Sequence, residues 1–293
     1  MQKIITHLWY DKEAKEATEF YASLFPDSKV SNVRTITGTP SGDCDIVNFV
    51  LAGQEFMAIS AGPYFKFNPS ISLFVVFESE EDITAVWNKL IEGGKALMPF
   101  DTYPWAEKYG WVQDRFGLTW QLSISENHKM VQRITPLLMY TQGMAGKTKE
   151  AIDYYTSVFP GSSVEMMMPY NEGEGDVAGY IKHSRFSLLG QNFMAMDSSG
   201  PHAFVFNEAI SFIVRCETQE EIDTYWEKLS AVPEAEQCGW LKDKFGVSWQ
   251  VVPIAMDHMM EQGTKEQVGR VTQAFLKMKK FDIAQLQKAY DGE

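Results

Sequence analysis

The sequence predicts an α+β protein made of four β-α-β-β-β units, arranged as two tandem halves with helices after them. Three observations carry this. The first is a repeat: Gly110-Trp111-Val112-Gln113-Asp114-Arg115-Phe116-Gly117-Leu118-Thr119-Trp120-Gln121 returns as Gly239-Trp240-Leu241-Lys242-Asp243-Lys244-Phe245-Gly246-Val247-Ser248-Trp249-Gln250, with seven of twelve positions identical. The copies lie 129 residues apart. That is far beyond the period of about 20–50 residues of a solenoid, so a whole domain is duplicated. The second is that each half carries the strand, helix, three-strand order twice. The third is that residues 254–293 fall outside the repeat and show helical spacing.

The elements follow in order. Residues 3–10 are rich in the β-branched and aromatic side chains that suit a strand. Over 13–25, Ala17, Phe20, Tyr21 and Leu24 share one helical face, and Pro26-Asp27 stops the helix. Strands near 29–37, 44–51 and 55–60 are separated by the turn-formers Thr39-Pro40-Ser41-Gly42 and Ala52-Gly53. Residues 70–77 open the second unit as a strand apolar on both faces. The acidic Glu78-Ser79-Glu80-Glu81 suits a helix N-terminus, and Ile83, Val86, Trp87, Leu90 and Ile91 then turn inward. A strand at 95–99 and a hairpin over 110–124, tight at Asp-x-Phe-Gly, complete the first half.

The second half repeats the order. Phe20-Tyr21-x-x-Leu24-Phe25-Pro26 returns as Tyr154-Tyr155-x-x-Val158-Phe159-Pro160, and Phe67-Asn68-x-x-Ile71-Ser72 as Phe206-Asn207-x-x-Ile210-Ser211. Two differences break the symmetry. Residues are inserted around Gln142-Gly143-Met144-Ala145-Gly146, and most of the loop 100–109 is missing from the second copy. Val271, Phe275 and Met278, then Ile283, Leu286 and Ala289, give two terminal helices joined near Phe281-Asp282. The expected domains are 1–128, 129–255 and a helical extension at 256–293.

Composition narrows the function. Apolar residues make up 45% and aromatics 13% of 293 residues, which supports two folded cores and argues against disorder. A net charge of −13 argues against nucleic acid, whose phosphates need clustered Lys and Arg. No apolar run of about 18 residues is present, so no membrane partner and a cytoplasmic location are expected. Cys44, Cys216 and Cys238 are odd in number and scattered, which indicates neither a disulfide framework nor a zinc motif.

With Phe20-Tyr21-x-x-Leu24-Phe25-Pro26, Gly62-Pro63-x-x-x-Phe67-Asn68, the Gly239–Gln250 hairpin and the tail Arg270-Val271-x-x-Ala274-Phe275-Leu276-x-Met278-Lys279-Lys280, the chain resembles the vicinal oxygen chelate superfamily. This is the glyoxalase/bleomycin-resistance fold, and the finer match is to its PhnB-like branch, labelled 3-demethylubiquinone-9 3-methyltransferase. The resemblance implies paired β-α-β-β-β modules, and in the superfamily's enzymes a divalent metal held by His, Gln or Glu on the first, fourth, fifth and eighth strands. Carried over residue by residue, the eighth-strand Glu corresponds to Gln121 and Gln250, and the fifth-strand His to Ser72 and Ser211. Ser60 and Asp197 are the nearest polar residues on the fourth strands. The first strand offers His7, with Pro136 as its duplicate. One imidazole and one neutral amide make a poor site for a hard cation, so no metal and no cofactor are expected. The methyltransferase label also lacks support, since no glycine-rich strand-to-helix loop is present to hold a nucleotide-like cofactor.

Each residue also has a plainer reading. His7 reads as a hydrogen-bonded structural histidine, and Gln121 and Gln250 as residues that bond neighbouring backbone. The loop holding Tyr103 and Trp105 exists in one half only and reads as a lid over the first cleft, beside His7 and Trp9, where the duplicate has Pro136 and Leu138. The expected function is binding of a small, partly apolar molecule in a sheet-lined cleft by His7, Trp9, Ser60, Ser72, Tyr103, Trp105, Gln121, Asp197, Ser211 and Gln250. The rival is a metal-dependent enzyme of the superfamily or, following the label, a methyltransferase. The halves are expected to pair as an internal pseudo-dimer, with a further homodimer left open.

Overall fold

The computed structural model describes residues 2–39, 42–124 and 132–293. The expected boundary at 128 and Pro40-Ser41 of the first turn lie outside the described residues. The first unit is β1 (Ile4–Tyr10), α1 (Ala14–Ala22), β2 (Lys29–Thr39), β3 (Gly42–Leu51) and β4 (Gln54–Ser60). The second is β5 (Ile71–Phe77), α2 (Glu80–Ile91), β6 (Lys95–Tyr103), β7 (Ala106–Gln113) and β8 (Thr119–Ile124). The third is β9 (Ile134–Tyr140), α3 (Thr148–Val158), β10 (Ser163–Pro169), β11 (Ile181–Leu188) and β12 (Gln191–Asp197). The fourth is β13 (Ile210–Cys216), α4 (Gln219–Leu229), β14 (Trp240–Lys242) and β15 (Ser248–Pro253). That last unit is one strand short of the expected pattern. A 3-10 turn at Pro233–Ala235 replaces the counterpart of β6, because too few residues separate α4 from β14 for another strand.

The strands are exchanged between halves. Sheet I runs β14-β15-β13-β1-β4-β3-β2, and sheet II runs β10-β11-β12-β9-β5-β8-β7-β6. Each sheet therefore joins the first unit of one half to the second unit of the other. At the seams β1 pairs antiparallel with β13 and β5 with β9. The repeated Phe-Asn-x-x-Ile-Ser stretch serves this exchange. Asn68 Nδ2 donates to Val205 O and Asn207 Nδ2 to Lys66 O, each at 2.9 Å, so each half clamps the other's loop.

Helices α1–α4 and the inner faces of both sheets share one core, whose largest buried members include Tyr21, Trp120, Tyr155 and Trp249. The helices start where side chains satisfy their free N–H groups. Ser79 caps α2 through Asp82 N at 3.1 Å, and Thr218 caps α4 through Glu221 N at 3.2 Å. The first-unit helices are held from the sheet instead. Ser60 Oγ accepts from Ala14 N at 3.1 Å, while Asp197 Oδ1 accepts from Gly146 N, Thr148 N and Thr148 Oγ1 and Oδ2 from Ile181 N, at 2.8–3.1 Å.

Two expectations are corrected at the surface. Residues 100–109 are not an irregular loop; β6 and β7 pair through them and turn at Pro104-Trp105. After β15 there are three helices, not two: α5 (Ile254–Gln262), α6 (Lys265–Phe275) and α7 (Ile283–Asp291). They cover the outer face of sheet I. Ile5, Ile36, Ile213 and Val252 of the sheet form a second core there with Met259, Met260, Val271, Phe275, Phe281 and Leu286 of the helices. No helix among the described residues is long and apolar enough to cross a membrane.

Candidate functional site

Alternation along the strands decides which side chains leave the main core. On sheet I, His7 and Trp9 of β1, Met57 and Ile59 of β4, Ile213 and Arg215 of β13, and Gln250 and Val252 of β15 all face the terminal helices. The gap between them is a cavity of about 670 Å³, roofed by Met256, Met260, Phe275 and Phe281. Its size lies within the range of small-molecule sites, about 300–1,000 Å³, and its walls are mostly apolar.

The polar end of this cavity is built on the seam between halves. His7 stands opposite Ser211 in the β1–β13 pairing, and Ser211 stands beside Ser248 in the β13–β15 pairing. Gln250 Nε2 donates to Ser211 Oγ at 3.0 Å, and Ser211 Oγ lies 3.4 Å from His7 Nδ1. All four residues are buried, and Ser248 Oγ is buried with no partner among the described residues. Burial holds the imidazole neutral, pushing His7 down to about 3. Trp240 meets His7 edge-on at 5.3 Å and Trp9 at 5.9 Å, and Trp9 Nε1 donates to Gly62 O at 2.8 Å, so the aromatic wall is fixed. The charges beside it include the pairs Lys242 with Glu208 at 2.6 Å, and Arg215 with Glu55 at 2.7 Å and Asp257 at 3.5 Å, while Arg34, Glu234 and Glu261 also line the wall. Burial raises the Asp257 carboxyl, against the pull of Arg215.

Sheet II carries the same Ser–Gln pair on its outer face. Gln121 Nε2 donates to Ser72 Oγ at 2.9 Å, and here the buried Tyr109 hydroxyl donates to Gln121 Oε1 at 2.8 Å. The residue opposite Ser72 is Leu137. The structural duplicates of His7 and Trp9 are therefore Leu137 and Met139, not Pro136 and Leu138, a one-residue correction of register. Tyr103 and Trp105 lie at the tip of the β6–β7 hairpin, their rings tilted by 31° with centroids 4.9 Å apart, and Trp105 is 64% exposed.

The expected residues therefore divide. His7, Trp9, Ser211 and Gln250 meet on sheet I. Ser72, Gln121, Tyr103 and Trp105 belong to sheet II, so the aromatic turn is no lid over His7, because strand exchange sends β1 and β7 to different sheets. Ser60 and Asp197, expected in the clefts, lie on the opposite face and anchor α1 and α3. The sequence reading missed Trp240, Ser248, Arg34, Asn48 and the roof residues. Comparison of the two copies held one signal: Tyr109, which satisfies Gln121, is matched in the repeat by Cys238.

A divalent metal of the kind the superfamily's enzymes use does not fit these residues. The polar corner offers one imidazole, two hydroxyls and one amide whose N–H is already given to Ser211. The fourth-strand positions facing the cavity are Met57 and Ile59. Among the described residues no group of three or more His, Cys, Asp or Glu side chains comes together. Such a neutral set cannot offset the desolvation of a hard cation.

Two histidines, the buried His7 and the half-buried His183, give a pH prediction. Burial holds His7 at about 3, and burial with the Arg185 charge holds His183 of β11 at about 4, both below the ordinary 6.5. The unfolded chain therefore binds these protons first, and stability is lost as pH falls below 6.5. Between pH 6.5 and 5, each histidine should remove at most about 1.4 kcal/mol per pH unit. Urea unfolding across that window should steepen accordingly, with His7→Gln and His183→Gln each flattening the slope. An unchanged slope in both variants would contradict the neutral assignment.

The model of the family described as 3-demethylubiquinone-9 3-methyltransferase matches residues 2–123 and 132–252, one match per half. A Bacillus cereus PhnB protein carrying that methyltransferase name is 39% identical, covering 42% of this chain and all of its own, with a TM-score of 0.40. A Staphylococcus aureus protein is 32% identical over 42% of this chain and 97% of its own, with a TM-score of 0.18. Glyoxalase I from Zea mays covers 85% of this chain and 93% of its own at 9% identity, with a TM-score of 0.56, a likeness of fold. Among curated proteins no relative matches.

Proposed function

The chain belongs to the 3-demethylubiquinone-9 3-methyltransferase (PhnB-like) family, with a glyoxalase-type fold, and we propose that it binds a small, partly apolar molecule between sheet I and the terminal helices. The observation that carries this is the cavity of about 670 Å³, apolar in its walls and polar at the His7–Ser211–Gln250 corner. A concave, mostly apolar space with a few convergent polar groups is the usual form of a small-molecule site. Sheet II has the same Ser–Gln pair, but Tyr109 completes it. The roof comes from residues 254–293, beyond the matched region, so the terminal helices distinguish this chain's site from a bare family module. Methyl transfer, the activity in the family's description, finds no cofactor-holding loop here and is not the preferred reading.

Trp9 and Trp240 line the cavity, so occupancy should change the intrinsic fluorescence. A thermal-shift screen of apolar small molecules should yield ligands that stabilise the chain, by about 2.7 kcal/mol at a hundredfold excess over Kd. Ile59→Trp, which places a larger side chain in the cavity, should abolish the shift. Ligands that stabilise that variant and the native chain equally would place the site elsewhere and reject the proposal.

A further inference from the structure

The two Ser–Gln pairs have the same geometry and different unfilled valences, and the difference specifies a ligand. On sheet II, Gln121 gives its N–H to Ser72 and receives the Tyr109 hydroxyl, so both ends of its amide are used. On sheet I, Gln250 gives its N–H to Ser211, but no described residue donates to Gln250 Oε1. The counterpart of Tyr109 is Cys238, whose backbone N–H instead goes to Met278 O at 2.8 Å, tying the chain to the roof. The corner has lost a hydroxyl and gained a cavity.

The hydrogens can be assigned from the pattern of partners. Ser211 Oγ accepts from Gln250, and in the His7 tautomer whose Nδ1 is bare, the assignment adopted here, it gives its own proton to that nitrogen at 3.4 Å. The proton of neutral His7 is then on Nε2, which has no acceptor among the described residues. Ser248 Oγ, beside Ser211 on the neighbouring strand, is also buried without a partner. The corner thus presents an acceptor at Gln250 Oε1 and a donor at His7 Nε2. It carries no net charge: Lys242 is paired with Glu208. Arg34, on the cavity wall at β2, is three strands from β1, roughly 14 Å along the sheet.

We infer that the sheet I cavity takes a neutral aromatic alcohol, a phenol-type molecule whose hydroxyl donates to Gln250 Oε1 and accepts from His7 Nε2 while its ring lies against Trp9 and Trp240. The hydroxyl replaces the one that Tyr109 supplies on sheet II. A hydrocarbon leaves the donor and acceptor unmade. A carboxylate supplies no proton to Gln250 and brings a charge to a neutral, buried corner, which costs more than it returns. This rests on the cavity being the binding site.

The test uses three probes of one shape, naphthalene, 2-naphthol and 2-naphthoate, titrated against the full chain by tryptophan fluorescence and calorimetry. 2-Naphthol should bind at least about tenfold more tightly than either of the others, the gain expected of one or two buried hydrogen bonds. Gln250→Leu should narrow the margin of 2-naphthol over naphthalene, because only the His7 donor is then left to the hydroxyl. Equal binding of naphthalene and 2-naphthol, or tightest binding of 2-naphthoate, overturns the ligand class while the cavity stands as the site. No binding by any of the three overturns the cavity reading as well. The ligand comparison needs no variant, so it decides the matter even if Gln250→Leu does not fold.

Discussion

Asp243→Ala should cost about 3–5 kcal/mol of folding free energy, although Asp243 touches no part of the cavity. The carboxylate is a hub at the centre of the repeated stretch. Asp243 Oδ1 accepts from Phe245 N at 2.8 Å and Val247 N at 3.0 Å, which closes the hairpin turn. Its Oδ2 accepts from Trp249 Nε1 at 2.8 Å and the Tyr155 hydroxyl at 2.7 Å, which ties that turn to α3. Alanine leaves four buried donors without an acceptor. Burial raises the Asp243 carboxyl, so ionisation in place is itself unfavourable, and the four donors only partly offset it. Asp243→Asn removes the charge and keeps one acceptor oxygen, but sets an N–H₂ against the Trp249 N–H. It should cost less than alanine, about 1–3 kcal/mol. Equilibrium urea unfolding checks both. An alanine variant within about 1 kcal/mol of the native chain would show that the hub is dispensable.

The first copy has the same hub: Asp114 accepts from Phe116 N, Leu118 N, Trp120 Nε1 and the Tyr21 hydroxyl. This explains why the sequence displayed this stretch so clearly. The residues that repeat, Asp, Phe, Gly and Trp, are those a local network demands, and local demands are visible in a single chain. The fold class followed from the same repetition, and the family match and the glyoxalase-type likeness agree with it. The grouping of the site was not visible. His7 meets Ser211 across 204 residues of chain, and period-two alternation says which side chains share a face of one strand, not which strand lies beside it. Nor did β1 fix its own register. Nearly all of Ile4–Tyr10 is buried, on both faces, so no polar alternation separates His7 from its neighbours, and the duplicate was placed one residue early. Ser60 and Asp197 were assigned by polarity, where parity decides: Met57 and Ile59 face the cavity, so Ser60 faces α1.

Gly239→Ala should be the most damaging single-methyl change in the hairpin, and Gly110→Ala a milder one, though the two glycines occupy the same place in the repeat. Gly110 lies within β7 beneath α2, where an added Cβ would meet Trp87 Cζ3 at 2.5 Å and Phe100 Cδ2 at 3.0 Å. The backbone there needs no left-handed φ, so the cost is overpacking alone, about 1–3 kcal/mol. Gly239 has φ +81°, and its Cβ would meet Phe281 Cε2 at 2.5 Å and Val251 O at 3.0 Å. Its N–H also donates to Lys279 O at 2.7 Å, one of the bonds that seat the terminal helices. Left-handed strain adds to the clash, for about 2–5 kcal/mol in all. The direction of relief differs too. Phe281 belongs to the roof, so it yields by lifting the helices from sheet I, whereas Trp87 yields within the main core. Gly239→Ala should therefore lose cavity binding together with stability, and its amides in residues 265–291 should exchange faster with solvent. Gly110→Ala should lose stability while binding persists. Equal stability and unchanged exchange in the Gly239 variant would mean that the roof does not depend on this contact.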